Sequence, residues 1–211
     1  PGKLAEMQAI FDREARRYQV YPVHDSGAMS RVQKLMAVPG APSMFPPRKT
    51  LWGPDIRLSL ATAPPIFMLP FTLEADIEIP AGGAEGVIVA AGSRFGGWSF
   101  YLDKGVPVAT ASVSPLPGGA SRIAAGEPLA AGRHKLRYEI DHSGELRILV
   151  NGELRGSGKV SRLPHVMAGG GETFDTGRDS NDPVTLDYID EGEFSGTIYR
   201  VDVAVSMPQH R

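Results

Sequence analysis

The 211-residue sequence contains no cysteine, which excludes disulfides and thiolate metal sites. That absence leaves the compartment open. No apolar run is long enough to span a bilayer, and no signal-peptide core is present. The chain opens at Pro1 without an initiator methionine and is expected to be a fragment of a longer protein. Neither sign of charge is in excess. A net charge of −2 and an isoelectric point near 6.3 give no reason to expect nucleic acid or an anionic membrane as partner, since both favour a basic surface. The five histidines (His24, His134, His142, His165 and His210) show no ligand spacing, and no serine sits in a GxSxG elbow. What is present, 42% hydrophobic and 22% charged residues, suffices for one sizeable core with an appendage.

The chain is organised around residues 77–103, IEIPAGGAEGVIVAAGSRFGGWSFYLD. Val87, Ile88, Val89 and Ala90 form a short apolar run bounded by turn residues, which predicts a strand buried on both faces. Trp98, Phe100 and Leu102 alternate with Ser99, Tyr101 and Asp103, which predicts one face in a core and the other partly wet. Leu73, Ala75, Ile77 and Ile79 alternate with Thr72, Glu74, Asp76 and Glu78, giving one buried face and one acidic face that borders solvent or a cationic partner. Lys104-Gly105 turns the chain into Val106 and Val108, and a loop follows at Pro115 to Gly119. The clearest hairpin runs through Leu136, Tyr138 and Ile140, turns at His142 to Gly144, and returns through Leu146, Ile148 and Val150. Asn151-Gly152 then has the composition of a type I′ turn, with Leu154 beginning the next strand. Thr197, Tyr199, Val201, Val203 and Val205 predict a last strand with one apolar face, pairing with an early strand. The fold class is therefore mostly β, an antiparallel, jelly-roll-like β-sandwich.

The first segment differs in kind. Leu4, Met7, Ile10, Phe11 and Ala15 recur at three- and four-residue spacing among charged residues, predicting an amphipathic α-helix over about 3–18. Pro22 forces Tyr21 into an extended path and ends it. Residues 26–71 carry so many prolines (Pro39, Pro42, Pro46, Pro47, Pro54, Pro64, Pro65, Pro70) that only an arm and an edge strand or two fit. Ile56, Leu58 and Leu60 mark the first short strand, and Arg48, Lys49 and Thr50 read as a solvated basic spot. The expected organisation is a helix plus proline-rich arm over 1–55, the sandwich over 56–206 and a frayed tail over 207–211.

Two constellations could carry chemistry. Residues 172–193 hold eight carboxylates (Glu172, Asp175, Asp179, Asp182, Asp187, Asp190, Glu191, Glu193) and one cation, Arg178, and such crowding needs water, arginine or metal to screen it. Asp175, Asp179, Asn181 and Asp182 are close enough in sequence to share a calcium ion, although the spacing matches no EF-hand loop; a solvated acidic loop is the other reading. Arg94, Trp98 and Tyr101 are the nearest set for a saccharide on a concave face, against which stands Trp98 as a core residue.

Three tracts, KLAEMQAIFDREARRYQVYPVHD (3–25), the organising stretch at 77–103 and ETFDTGRDSNDPV (172–184), resemble the C-terminal region of bacterial arylsulfatases, downstream of their catalytic domain. The tract GRHKLRYEIDHSGELRILVNGEL (132–154) is similar to the back-to-back strands of concanavalin-like and laminin-G-like sandwiches. The resemblance implies a non-catalytic module packed on a sulfatase catalytic domain; the choice between bacterial cytoplasm and periplasm stays open. The helix would then cover either that domain or the sandwich itself. It also implies a parent that cleaves sulfate esters with formylglycine and a divalent cation, calcium in most members. This chain lacks that machinery: Met44, Phe45, Pro46, Pro47 and Arg48 reproduce the proline and arginine spacing of the C/S-x-P-x-R motif, but a methionine thioether cannot become the aldehyde. The alternative reading is a lectin-like module that binds carbohydrate.

Overall fold

The computed structural model describes residues 2–21, 48–59, 62–67, 70–164 and 171–206. The chain divides into two compact units, Pro1–Met44 and Phe45–Arg211. Among the described residues no helix is long and apolar enough to cross a membrane.

In the first unit, α1 spans Gly2–Arg17. Its polar face is held by Arg16 to Asp12 one turn apart (3.0 Å), and its end is closed by Gln19 at φ 55° with the Val20 N–H on the Ala15 carbonyl (2.8 Å). Tyr21 then folds back, donating its hydroxyl to Asp12 and setting its ring edge-on to Phe11 (6.4 Å). Leu4, Met7, Ile10 and Phe11 stay exposed. The arm predicted beyond Tyr21 lies outside the described residues up to Pro47, as do Met44 to Pro47 of the sulfatase-like spacing and the tail over 207–211.

The second unit contains twelve strands among its described residues. They are β1 (Arg48–Trp52), β2 (Arg57–Ser59), β3 (Phe71–Ile79), β4 (Gly86–Ser93), β5 (Gly96–Asp103) and β6 (Val106–Ser112). The others are β7 (Ala120–Ala124), β8 (Gly132–Ile140), β9 (Glu145–Val150), β10 (Glu153–Lys159), β11 (Thr173–Thr176) and β12 (Thr197–Val205). They form two six-stranded sheets, the first in the order β1-β12-β3-β8-β9-β10 and the second β2-β11-β4-β5-β6-β7. The pairings are antiparallel throughout, so this is the expected β-sandwich.

Alternation decides what lies between the sheets. Leu73, Ala75 and Ile77 of β3, Leu136 and Tyr138 of β8, and Ile148 of β9 face Trp98, Phe100 and Leu102 of β5. Phe71 meets Trp98 edge-on at 5.3 Å, and Tyr138 meets Phe100 at 4.7 Å. Each such side chain contributes roughly 1.5–3 kcal/mol by leaving water. The Asn151-Gly152 turn has the expected positive φ at both residues (52° and 88°). At one side the edges of the two sheets touch. A Cβ on Gly156 of β10 would stand 2.6 Å from the carbonyl oxygen of Ala124 in β7, and one on Gly158 would stand 3.0 Å from Ile123.

Three elements depart from the sequence reading. The sandwich begins at Arg48, in the stretch assigned to the arm: β1 pairs with β12 and buries only Leu51, so no period of two was there to find. The strand read at Ile56 to Leu60 is the three-residue β2, with Leu60 outside the described residues. In β12 a bulge between Ile198 and Arg200 turns Ile198 inward and leaves Tyr199 exposed, so the apolar face is Ile198, Val201, Val203 and Val205. The predicted pairing of this late strand with an early one is present twice, to β3 and to β1.

Candidate functional site

The outward face of the second sheet is not wet. Ala90, Ser99, Tyr101, Val108 and Thr110 point away from the core and are nonetheless buried, which corrects the expectation of a partly solvated face on β5. Residues 177–193 lie over them, tied down by Gly177 N–H to Ile88 O (3.0 Å), Val87 N–H to Gly192 O (2.7 Å) and Asp179 N–H to Glu191 O (2.7 Å). Tyr188 seats its ring edge-on against Tyr101 (5.2 Å), shares a hydrogen bond with Ser99 (2.9 Å) and donates to Asp179. Asp187 accepts from the Tyr101 hydroxyl and from Arg122 Nε (2.8 Å). Burial opposes the Asp187 anion, but these donors outweigh it and hold the carboxyl below its ordinary value. Burial pushes both tyrosine hydroxyls up, so they remain donors.

The predicted calcium residues lie in and beside this cover. Asp175, on β11, is 2% exposed; its Oδ2 accepts from the Thr173 hydroxyl (2.7 Å) and the Ser180 N–H (3.3 Å). Asp179 is 1% exposed and accepts from the Val184 N–H (2.7 Å) and Tyr188. Burial, with the charges of Asp175 and Glu172, pushes its carboxyl up to about 7. Asn181 accepts from Arg57 (2.6 Å) and donates to the Gly171 carbonyl (2.9 Å), and Asp182 pairs with Arg94 (3.1 Å). Among the described residues no three acidic or histidine side chains converge on one point.

The predicted saccharide trio is likewise dispersed. Trp98 is in the core, Tyr101 is on the opposite side of the same strand beneath Tyr188, and Arg94 stands at the β4–β5 turn against Asp182. They do not share a surface.

Among the described residues of the second unit, the outward face of the first sheet is open. Register places its outward side chains in rows across the strands: Trp52, Arg200, Asp76 and Lys135; then Thr50, Asp202, Glu74 and Arg137; then Arg48, Ala204, Thr72 and Glu139. The acidic face predicted for β3 is therefore met by cations of its own sheet, with Arg133 gripping Asp76 through two nitrogens (2.7 and 2.8 Å) and Lys135 reaching Glu74 (3.3 Å). The Arg133 bonds hold Asp76 below its ordinary pKa. Between these rows lies a groove of about 450 Å³, lined by Arg48, Thr50, Thr72, Glu74, Arg137 and Asp202, with the small Ala204 at its middle. Thr50 donates to Asp202 (2.6 Å), and Arg200 holds the other oxygen of that carboxylate (2.8 Å). One row further along, Trp52 is 69% exposed with the Arg200 guanidinium over its ring (5.8 Å). Sequence reasoning missed this set because the residues come from four separate strands. The outward half of each alternation, with the tryptophan at the end of β1, was the signal available.

No protein-family model and no curated protein matches the sequence. Solved structures similar to this chain include the CBM40 of the Ruminococcus gnavus IT-sialidase, at 13% identity over 76% of this chain and 94% of that one, with a TM-score of 0.55. The same CBM40 bound to α2,3-sialyllactose is similar at 12% identity over 76% and 93%, with a TM-score of 0.53. Domains LG4–5 of the mouse laminin α1 chain are similar at 13% identity over 74% of this chain and 40% of that one, with a TM-score of 0.54. The fold is that of a jelly-roll sandwich of the concanavalin and laminin-G kind.

Proposed function

We propose that the sandwich unit is a carbohydrate-binding module that takes a saccharide on the outward face of its first sheet, in the groove over Ala204 with Trp52 beside it. The observation that carries this reading is the contrast between the two faces. One is sealed by residues 177–193, while the other presents a concavity lined by hydroxyls, carboxylates and guanidinium groups next to an exposed indole. A sugar offers what such a surface uses: hydroxyls that bridge paired polar groups, and a C–H face that packs on an aromatic ring. A sandwich of the same fold bound to α2,3- and α2,6-sialyllactose supports the reading. Calorimetric titration with 3′-sialyllactose, 6′-sialyllactose and lactose tests it. Binding is expected to weaken at least tenfold, about 1.4 kcal/mol, in Trp52→Ala and in Arg137→Ala. Absence of saccharide binding at millimolar concentration, or binding indifferent to both substitutions, would overturn it.

A second reading concerns setting: a module carried beside a sulfatase catalytic domain. It is supported by the arylsulfatase-like tracts and by the exposed apolar residues Leu4, Met7, Ile10 and Phe11 of α1, a face suited to covering another apolar surface. Under both readings the chain binds or packs and performs no chemistry.

A further inference from the structure

Resting on the saccharide reading, we infer that the groove of the first sheet selects an acidic oligosaccharide. Arg48 takes the carboxylate or sulfate of such a ligand, while a ring further along it packs on Trp52. Charge is shared out unevenly on this face. The carboxylates that line or border the groove are already held: Glu74 by Lys135 (3.3 Å), Asp202 by Thr50 (2.6 Å) and Arg200 (2.8 Å), and Glu139 by Arg137 (2.6 Å). Each therefore meets a ligand as one half of a pair, with its charge largely answered.

Arg48 is different. Its partner in register across β12 is Ala204, which offers only a methyl group, and among the described residues no carboxylate stands within ion-pair distance of its guanidinium. Lys49 beside it gives its ammonium to the Thr62 carbonyl (2.7 Å), a neutral acceptor. The β1 bank of the groove thus carries positive charge that the described carboxylates do not balance. A guanidinium is a planar fork that meets two oxygens of a carboxylate or sulfate at once, and a concave surface concentrates its field. A neutral sugar would use neither property. Arg48 and Trp52 project from the same side of β1 four residues apart, which is about 13 Å along a strand. That span exceeds one sugar ring, so an oligosaccharide reaches both residues and a monosaccharide reaches one. The ligand accordingly lies along β1, its acidic group at the Arg48 end.

The test is calorimetric titration with three ligands built on one scaffold: lactose, 3′-sialyllactose and 3′-sulfolactose. An acidic ligand is expected to bind about tenfold more tightly than lactose or better, and the stronger of the two distinguishes a carboxylate from a sulfate. Arg48→Gln, at an exposed position, should bring the acidic-to-neutral affinity ratio down to about one, and Arg48→Lys should keep part of it. Salt dependence is read on the wild type and needs no variant: raising sodium chloride from about 50 to about 500 mM should shrink the same ratio. Lactose bound as tightly as both acidic ligands overturns the inference and leaves saccharide binding standing. An acidic preference that survives Arg48→Gln, or one indifferent to salt, does the same. Absence of binding by all three ligands overturns the saccharide reading, and the inference with it.

Discussion

Asp179 is a carboxyl set where a neutral group would sit more comfortably. Burial raises it to about 7 from an ordinary 3.8, with the charges of Asp175 and Glu172 adding to the effect, although Val184 N–H and the Tyr188 hydroxyl both donate to it. Between those two values the folded chain keeps a proton that the unfolded chain releases, so the stabilisation is complete below about pH 4 and is lost as pH rises through 7. The full difference is on the order of 4 kcal/mol. Asp76 and Asp141, whose carboxyls are held low by Arg133 and by Ser143, act in the opposite sense, so the comparison must be made between variants. Urea unfolding in chelator is expected to show that Asp179→Asn gains stability relative to the wild type as pH is raised from acid to neutral. A constant difference across that range would assign the low exposure of Asp179 to packing alone.

At the scale of elements, the segment over 177–193 is the part that behaves unlike a loop. It covers Val87, Ala90, Tyr101 and Val108 with Tyr188, so it completes a small second core outside the sandwich proper. Tyr188→Ala should cost roughly 3–4 kcal/mol, as removal of a buried ring does, whereas Tyr188→Phe should cost about 1 kcal/mol for its hydrogen bonds. Hydrogen exchange in Tyr188→Ala should quicken at the Asp179, Val87 and Gly192 amides and leave the β3–β8 ladder protected; uniform acceleration would mean that the segment is no separate unit. This also explains what the sequence disclosed. The β8–β9 hairpin was legible because apolar and polar residues alternate without a break and Asn151-Gly152 fixes its end. The strand β1 was not, since Leu51 is its only buried residue, and β12 was half legible because a bulge reverses the sense of alternation after Ile198. Ser99 and Tyr101 look like a wet face for the same reason: the cover that buries them comes from a part of the chain whose acidic composition suggests solvent.

For the whole molecule, the sandwich and the core position of Trp98 follow from the sequence pattern, while the open face was out of reach because register across β1, β12, β3 and β8 assembles it. The same scale decides the question of activity. Sulfate ester cleavage by the arylsulfatase route needs an aldehyde hydrate as nucleophile and cationic groups on the leaving oxygen, and the only matching spacing in this chain has Met44 at the nucleophile position. The purified chain is expected to hydrolyse 4-nitrophenyl sulfate no faster than buffer, with or without calcium. Turnover that copurifies with the chain and vanishes on a substitution within it would show chemistry of its own. The contact at Gly156 and Gly158 has a consequence for solubility. A sheet edge ordinarily offers a free ladder that a neighbouring molecule can extend, and successive additions make a fibre. Here β10 leans on β7 so closely that at Gly156 and Gly158 there is no room for a side chain, which leaves little for a foreign strand. The opposite edge of the first sheet, β1, leads with Arg48 and Lys49, whose charges repel a second copy of themselves. Sterics between β10 and β7, and charge along β1, thus each oppose the addition of a foreign strand at those edges.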